Sequence, residues 1–588
     1  MARLFDTGIF SVNATNGSVG VGYKLHFYTT GTSTPKNTYP TRADAVAGTN
    51  ANANPVVAAS DGRWNPIWLT GGDYKVVLKD FDDVTLETRD PADSNEESQL
   101  SATTGAGLVG FSHSASYAAG TVGNHLKRFI CVTDAPYSAT GDGTTDDTAA
   151  FTAAIAAVIV AGGGTLWIPA GTFKVTSALT VASPMRFVGG GLGSIITTTS
   201  ATANVFTVTS TSNDPGVEFE GLYFKSTVTR SAGYYIESAS ANGTKVRRCR
   251  FEGAYNGIGA TGTPNFQGLV VEDNEIIGTL GSGVVISAAN GTQGCVQFYI
   301  RRNKFTGTSN GSQTPIAILV TSAGDLMISH NHTLFCSTAV ALAPATGNDI
   351  QAIKIYDNWF DSGSASGVAV SPTGGTIRNA MISRNWIATF TAYGIVASGT
   401  GLIKKLDILD NTMGGFSSGI NAAATIISDL VIAGNAVGQC SAHGIATVAN
   451  LNNFRITGNS IGAVGEFTQN GGWDIVVNAG TSTNYIIANN RMTGGVSGTL
   501  SDGGSGAVKY IRNNIGYINQ AKGATSVADG GAVTHGLVAA PTTVRCTPTT
   551  SGEFVSVTSL GASNFTVSIK KHDNTGGTTQ TIYWEAEV

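Results

Sequence analysis

The sequence predicts an all-β chain built on a parallel β-helix, and two observations carry that prediction. The first is a repeat. Residues 271–278 and 300–307 share the pattern aliphatic-x-x-Asn-x-apolar-x-Gly. Starting from Asn274 and Asn303, the pattern returns at Asn331, Asn358, Asn385, Asn411, Asn435, Asn459, Asn490 and Asn514. The successive spacings are 29, 28, 27, 27, 26, 24, 24, 31 and 24 residues. A period of this size signals a solenoid. The second observation is brevity. Within each period only three to five residues alternate before Gly, Asn or Ser intervenes, which leaves no room for a helix of ten residues. Each period is therefore one coil of stacked strands rather than a helical repeat.

The repeat assigns its own inside. The aliphatic residue three before each Asn points inward, as does the apolar residue two after it: Ile276, Phe305, Phe360, Ile387, Met413, Val437, Ile461 and Met492. Thr333 breaks that apolar position, with Leu334 as a candidate replacement. Asn is expected at a bend between the two, because it tolerates left-handed backbone and bonds its own turn. Stacking then sets successive amides roughly 4.8 Å apart. Two earlier copies fit with the Asn replaced, by Cys249 and by Leu222.

Composition narrows the function. The 588 residues include 76 Gly and only 12% charged side chains, which suits many turns and close strands. A net charge of -5 argues against general nucleic-acid binding. Cys131, Cys249, Cys295, Cys336, Cys440 and Cys546 show no metal-ligand spacing, so no metal, cofactor or disulfide framework is expected. Cys249 reads as a buried structural thiol. The N-terminus lacks a basic segment followed by an apolar run, so no secretion signal is expected. The most apolar stretch, 149–161, is too short to cross a bilayer, and no membrane insertion is expected.

In chain order, residues 1–90 alternate over 21–28, 73–78 and 84–87 between turn clusters, which predicts a small β domain. Its wording, Gly22-Tyr23-Lys24-Leu25-His26-Phe27-Tyr28, Thr38-Tyr39-Pro40, Asn54-Pro55, Asp61-Gly62-Arg63 and Gly72-Asp73-Tyr74-Lys75, resembles the β-sandwich-like particle-binding domain of bacteriophage tailspikes and tail fibres. Residues 91–130 read as a linker and neck with a short helix near 122–128. The solenoid is expected over 131–519. It opens on Gly141-Asp142-Gly143-Thr144-Thr145-Asp146-Asp147-Thr148-Ala149-Ala150-Phe151. Asp146, Asp147 or Thr148 can cap a helix there. Phe151, Ile155, Val158 and Ile159 would form its apolar stripe, covering the open end of the coils. Strands over 165–168 and 172–175 should follow. This opening resembles the start of the pectate-lyase-like family. The resemblance implies a right-handed helix but not a reaction, because the family hosts lyases, hydrolases and inert adhesins. Gly189-Gly190-Gly191-Leu192-Gly193-Ser194 reads as a tight turn, since a strand rather than a helix follows. Residues 520–588 lack the Asn period and form a small C-terminal β domain.

Candidate site residues emerge by reading fixed offsets from Asn. Position -1 gives Asp273, Arg302, His330, Asp357, Arg384 and Asp410, then Gly434 and Gly458. Position +1 gives Glu275, Lys304, His332, Trp359, Trp386 and Thr412; position -2 adds Glu272, Arg301 and Tyr356; position +3 adds Asp361. Charge and aromatic surface are thus concentrated in six neighbouring coils. Asp357, Asp361 and Asp410 are the candidate catalytic carboxylates. Tyr356, Trp359, Trp386, Arg302, His330, His332 and Arg384 are the candidate sugar-binding groups. Equal positions two coils apart, such as Asp357 and Asp410, lie roughly 9–10 Å apart, near the upper end for an inverting glycosidase. A lyase would instead use a base and a cation facing a uronic carboxylate. The bland alternative is a solvated salt ladder.

With the phage resemblance, three readings stand. One is a virion-borne homotrimeric tailspike that degrades a bacterial surface polysaccharide, hydrolase favoured over lyase, and joins the phage tail, portal or baseplate through residues 1–90. It would assemble in the host cytoplasm. The second is a non-catalytic receptor-binding fibre; the third is a structural virion protein. Position -4, with Tyr299, Met327, Met381 and Val431, offers an outward apolar stripe for subunit packing.

Overall fold

The computed structural model describes residues 3–5, 19–92 and 129–588, apart from 183, 210–215, 240–242, 263–267, 288–295, 308–313 and 424–426. The chain divides into two compact units, 1–119 and 120–588. The expected neck helix near 122–128 lies outside the described residues.

In the first unit, a four-stranded sheet contains Lys24–Thr29, Val56–Val57, Tyr74–Lys79 and Thr85–Ala92. A three-stranded sheet contains Arg3–Phe5, Ile67–Leu69 and Thr38–Tyr39. Leu25, Phe27, Ile67, Leu69, Tyr74 and Val76 form its core. A helix at Arg42–Ala47, absent from the sequence reading, is capped by the Thr41 hydroxyl and ends at left-handed Gly48. Six residues are too few to display an apolar period.

The second unit opens on the helix Thr148–Val160. Asp147 occupies its N-cap position, but its carboxylate accepts from the N–H groups of Thr140 and Gly141 and so ties the preceding loop. Asp146 accepts instead from the Thr148 N–H and hydroxyl and from Thr176. Phe151, Ala154, Ile155 and Val158 are buried, whereas Ile159 is 42% exposed. Ile159 therefore does not join the stripe. At 100° per residue it lies roughly 80° round from Phe151, and Ala154 takes the facing position. Gly164–Ile168 and Gly171–Val175 follow as the expected strands, and the Gly189–Ser194 segment turns between Met185–Gly189 and Ser194–Thr198.

Above the helix rises a right-handed parallel β-helix. Each coil contributes to three walls. Wall A holds the strands before each Asn, such as Phe298–Arg301 and Thr376–Ser383. Wall B holds the strands after it, including Trp359–Gly363 and Trp386–Phe390, in a sheet of 14. Wall C carries Ser366–Val370 and Tyr393–Ala397. Register holds along the stack: Ile300 pairs with Ile328, then Ile355, Ile382 and Ile408, while Phe360 pairs with Ile387 and then Met413. One continuous apolar column fills the interior. At the break in the pattern, Thr333 itself points inward, fully buried, and its hydroxyl has no partner among the described residues. Leu334 does not compensate, because strand alternation turns it to the outer side.

The Asn residues form an internal ladder. Each Oδ1 accepts from the N–H and the Nδ2 of the Asn one coil earlier, as Asn385 does from Asn358 at 3.0 and 2.9 Å. Each Nδ2 also donates to a wall A carbonyl one coil earlier, as from Asn385 to Ile355. The run is unbroken from Cys249, whose N–H donates to Asn274, to Asn514. The Asn residues are not the left-handed ones. Positive φ falls on the residue before each: Asp273, Arg302, His330, Asp357, Arg384, Asp410, Gly434, Gly458, Asn489 and Asn513. The turn is made at position -1, which leaves Asn free to point inward. Cys249 is buried, and burial pushes its thiol up to about 12, so it is inert filling.

Residues 520–588 fold into two three-stranded antiparallel sheets with their own core, including Val533, Phe565, Val567, Ile569, Ile582 and Trp584.

Two substitutions test this core. Asn385→Ala strips the acceptor from two buried donors of Asn358 and should cost on the order of 2–4 kcal/mol in urea unfolding. Thr333→Val removes a buried hydroxyl with no partner among the described residues and should add about 1 kcal/mol. Equal midpoints for both variants and the parent chain would contradict the ladder's role.

Candidate functional site

The ladder turns sequence offsets into columns. Position -1 runs along the bend between walls A and B, and position +1 runs beside it on wall B. In the lower coils the bend column is an ion-pair network. Arg302 donates to Asp273 at 2.7 and 3.0 Å and to Glu272 at 3.0 Å. Arg247 and Arg301 reach the same Glu272, which is buried. Arg302 is thus committed within the chain, one coil before His330.

Three coils later the column changes character. The Arg384 guanidinium forks onto Asp357, with Nε to Oδ1 at 2.8 Å and Nη2 to Oδ2 at 3.0 Å. That hydrogen-bonded guanidinium, with a smaller contribution from His330, holds the Asp357 carboxyl below the usual carboxylate range despite partial burial. Arg384 also lies over the Tyr356 ring at 5.7 Å, and His330 meets the same ring edge-on at 6.2 Å. Tyr356, Asp357, His330 and Arg384 therefore form one cluster. Asp410 follows Arg384 in the column; it is exposed and forms no salt bridge among the described residues, but its charge adds to the field that Asp357 sets on Arg384. Non-glycine residues are costly in left-handed backbone, by about 1–3 kcal/mol each, and one coil above Asp410 the same position is Gly434. Five charged residues and His330 are held there over six coils, where backbone preference would favour Gly or Asn.

Beside this cluster, wall B presents an aromatic column. His332 pairs with Trp359 and Trp359 with Trp386 in register. Ring centres step by 6.2 Å from His332 to Trp359 and by 5.4 Å from Trp359 to Trp386. Trp359 is 52% exposed. Asp361 lies on the Trp359 strand; its Oδ1 accepts from the hydroxyls of Thr389 at 2.7 Å and Ser362 at 3.0 Å.

Phe467 extends the column and was missed in the sequence. It stacks beside Trp386 at 5.7 Å from the loop over 462–472. A methyl at Gly414 would meet its ring at 2.4 Å, so glycine at the +3 position makes room for it. The buried side chain of Asn470 anchors the loop by accepting from the Cys440 N–H and donating to buried Asp474. The signal was present: the Asn459 to Asn490 spacing jumps to 31 where its neighbours are 24. What a loop covers, however, is not written in its length.

The ion pair sets a pH dependence. Because the folded-state pKa of Asp357 is depressed, the pair's contribution to stability is complete above the ordinary Asp value of 3.8 and is lost as pH falls through the lower folded value. Arg384→Gln should move the Asp357 carboxyl titration, followed by carbon-detected NMR, back up toward 3.8. An unchanged titration would mean that another group sets it.

Comparison with known proteins places the scaffold. Residues 129–331 match the family described as rhamnogalacturonase A/epimerase, pectate lyase-like. A stretch of 67 residues is 43% identical to the mannuronan C5-epimerase AlgE2 of Azotobacter vinelandii, 10% of this chain and 7% of that enzyme. A stretch of 87 residues is 39% identical to the tail spike protein of Salmonella phage epsilon15, 15% of this chain and 8% of that protein. The chain thus covers only a small part of these curated relatives. Among solved structures, a doubly substituted tailspike protein of E. coli bacteriophage HK620 is 12% identical, covers 84% of this chain and 100% of its own, and gives a TM-score of 0.53. The solenoid is a pectate-lyase-like right-handed parallel β-helix, the fold of a phage tailspike protein.

Proposed function

We propose that the protein is a phage tailspike that binds a bacterial surface polysaccharide along the His332–Trp359–Trp386–Phe467 column and hydrolyses it beside Asp357. The observation that supports this most is the adjacency of two unlike columns. Aromatic surface suits sugar rings, and the neighbouring carboxylates supply acid/base groups. Asp357, held ionised, acts as the base or as a fixed negative charge near the developing oxocarbenium ion. Asp361 is the first choice for the proton donor and Asp410 the second. In hydrolysis the donor's proton goes to the leaving glycosidic oxygen, the C–O bond breaks, and water that has lost a proton to the base closes the sugar carbon. Tyr356, His330 and Arg384 position the glycan, as do His332, Trp359 and Trp386. Arg302, engaged by two acids, contributes at most at the lower end.

Residues 1–90 join the virion's tail, portal or baseplate, and the working particle is a homotrimer. The wall A stripe supports the latter: Tyr299, Met327, Met381 and Val431 stand half-buried in one outward column, interrupted by Lys354 and Asp407. One observation favours a second reading, the non-catalytic receptor-binding fibre: Arg384 occupies both oxygens of Asp357, which suits a rigid binding surface better than a free base.

Host polysaccharide incubated with the full chain should release reducing ends without an unsaturated uronate chromophore. Asp357→Asn should cut that turnover by about a hundredfold or more and leave assembly intact. Trp359→Ala and Trp386→Ala should act on binding. Full turnover in the Asn variants of Asp357, Asp361 and Asp410 alike would move the site elsewhere, and absent turnover with adsorption that depends on Trp386 would decide for the fibre. Sedimentation at micromolar concentration should give a trimer; a stable monomer would rule that arrangement out.

A further inference from the structure

We infer that the glycan segment lying on this column is uncharged, a neutral polysaccharide rather than a polyuronate; the inference rests on the column being the glycan site. The cations on the bend and wall B are already committed. Lys304, one coil before His332, faces Glu275 at 3.6 Å, and Arg302 is held by Asp273 and Glu272. Arg384 spends its fork on Asp357 and has Asp410 as its neighbour on the following coil. Lys354 and Lys404 stand on wall A, across the bend, without a salt bridge among the described residues; on the same wall Arg378 pairs with Asp349 at 3.1 Å and Lys405 with Asp407 at 3.5 Å. Between Lys405 and Arg455 the sequence contains no Lys or Arg at all. From His332 to Phe467, the bend and wall B therefore offer no unpaired Lys or Arg among the described residues.

The anions are not matched in this way. Asp361 is met by hydroxyls rather than by a cation. Asp410 and Glu466, the latter exposed next to Phe467, have no salt bridge among the described residues. Within a Debye length of about 8 Å such groups repel a chain of carboxylates and leave neutral hydroxyls unopposed. Carboxylates also accept hydrogen bonds from sugar hydroxyls, which neutral hexoses supply in number. Proton abstraction beside a uronic carboxylate would need a cation to neutralise that carboxylate, and the column has no Lys or Arg to spare among the described residues. The likeness to the rhamnogalacturonase and epimerase family ends at residue 331, which takes in His330 but stops before Tyr356, Asp357, Trp359, Arg384 and Trp386. It covers the scaffold below and carries no uronate preference into these coils.

The test separates charge from identity. Capsular and O-antigen polysaccharides are run as a panel in affinity electrophoresis against the full chain, each in native form and after carbodiimide–borohydride reduction of its uronates to neutral hexoses. The expected result is that retained polymers are neutral or are retained at least as well after reduction. Their affinity should change less than about twofold between about 0.05 M and about 0.5 M NaCl. Retention confined to native uronate polymers and lost on reduction overturns the inference and leaves the site reading standing, provided that Trp359→Ala abolishes it. Retention that survives both Trp359→Ala and Trp386→Ala, or no retention by any polymer, overturns the site reading and this inference with it.

Discussion

The Asn ladder is the constraint on which the rest depends. A coil of 24 to 31 residues can vary in length only if something fixes one point of it against its neighbours. The inward amide does this, since it accepts two bonds from one side and donates one to the other, with every rung buried. A slip of one residue would expel the amide from its rung and turn the apolar positions on both sides outward. Register on walls A and B follows from that single point. Insertions are pushed into the loops beyond, where they cost little.

Register is also what makes a surface chemical. Side chains at one offset stack as columns, so Trp359 over Trp386, or Asp357 against Arg384, needs no long-range design. The bend column is the place where sequence could follow backbone preference, with Gly or Asn, and over six coils does not. Charged residues in left-handed backbone there give pairs with fixed geometry, because the backbone carrying them is held by the rungs. The 462–472 loop then adds Phe467 from outside the repeat, over glycines that leave it room.

Much of this was legible in the chain. The period, the inward positions and the outward columns follow from spacing alone, since stacking converts offset into contact. Other features were not legible, each for a physical reason. Asn tolerates left-handed backbone, which suggested that it made the bend; the residue before it does so, because an amide buried in a ladder cannot also turn the chain. Leu334 looked like a substitute for Thr333, but alternation fixes which of two neighbours faces in. Ile159 fits a helical repeat yet lies beyond the angle that the coil end covers. Arg302 fits the sugar-binding offsets, but Asp273 and Glu272 hold it, a commitment that depends on side-chain reach rather than on spacing. Phe467 belongs to no period, so spacing announces its loop but not its landing place.

The central claim is that the glycan lies on the coils from His332 to Phe467. Hydroxyl-radical footprinting with mass spectrometry, with and without a polysaccharide retained by the full chain, reads this directly because seven tryptophans are spread over the chain. The account predicts strong protection of Trp359, Trp386 and Phe467, with Trp64, Trp473 and Tyr583 unchanged. Protection at Tyr583 in the C-terminal domain, or at Tyr299 and Met327 on wall A, with Trp359 still oxidised at its free rate, would contradict it.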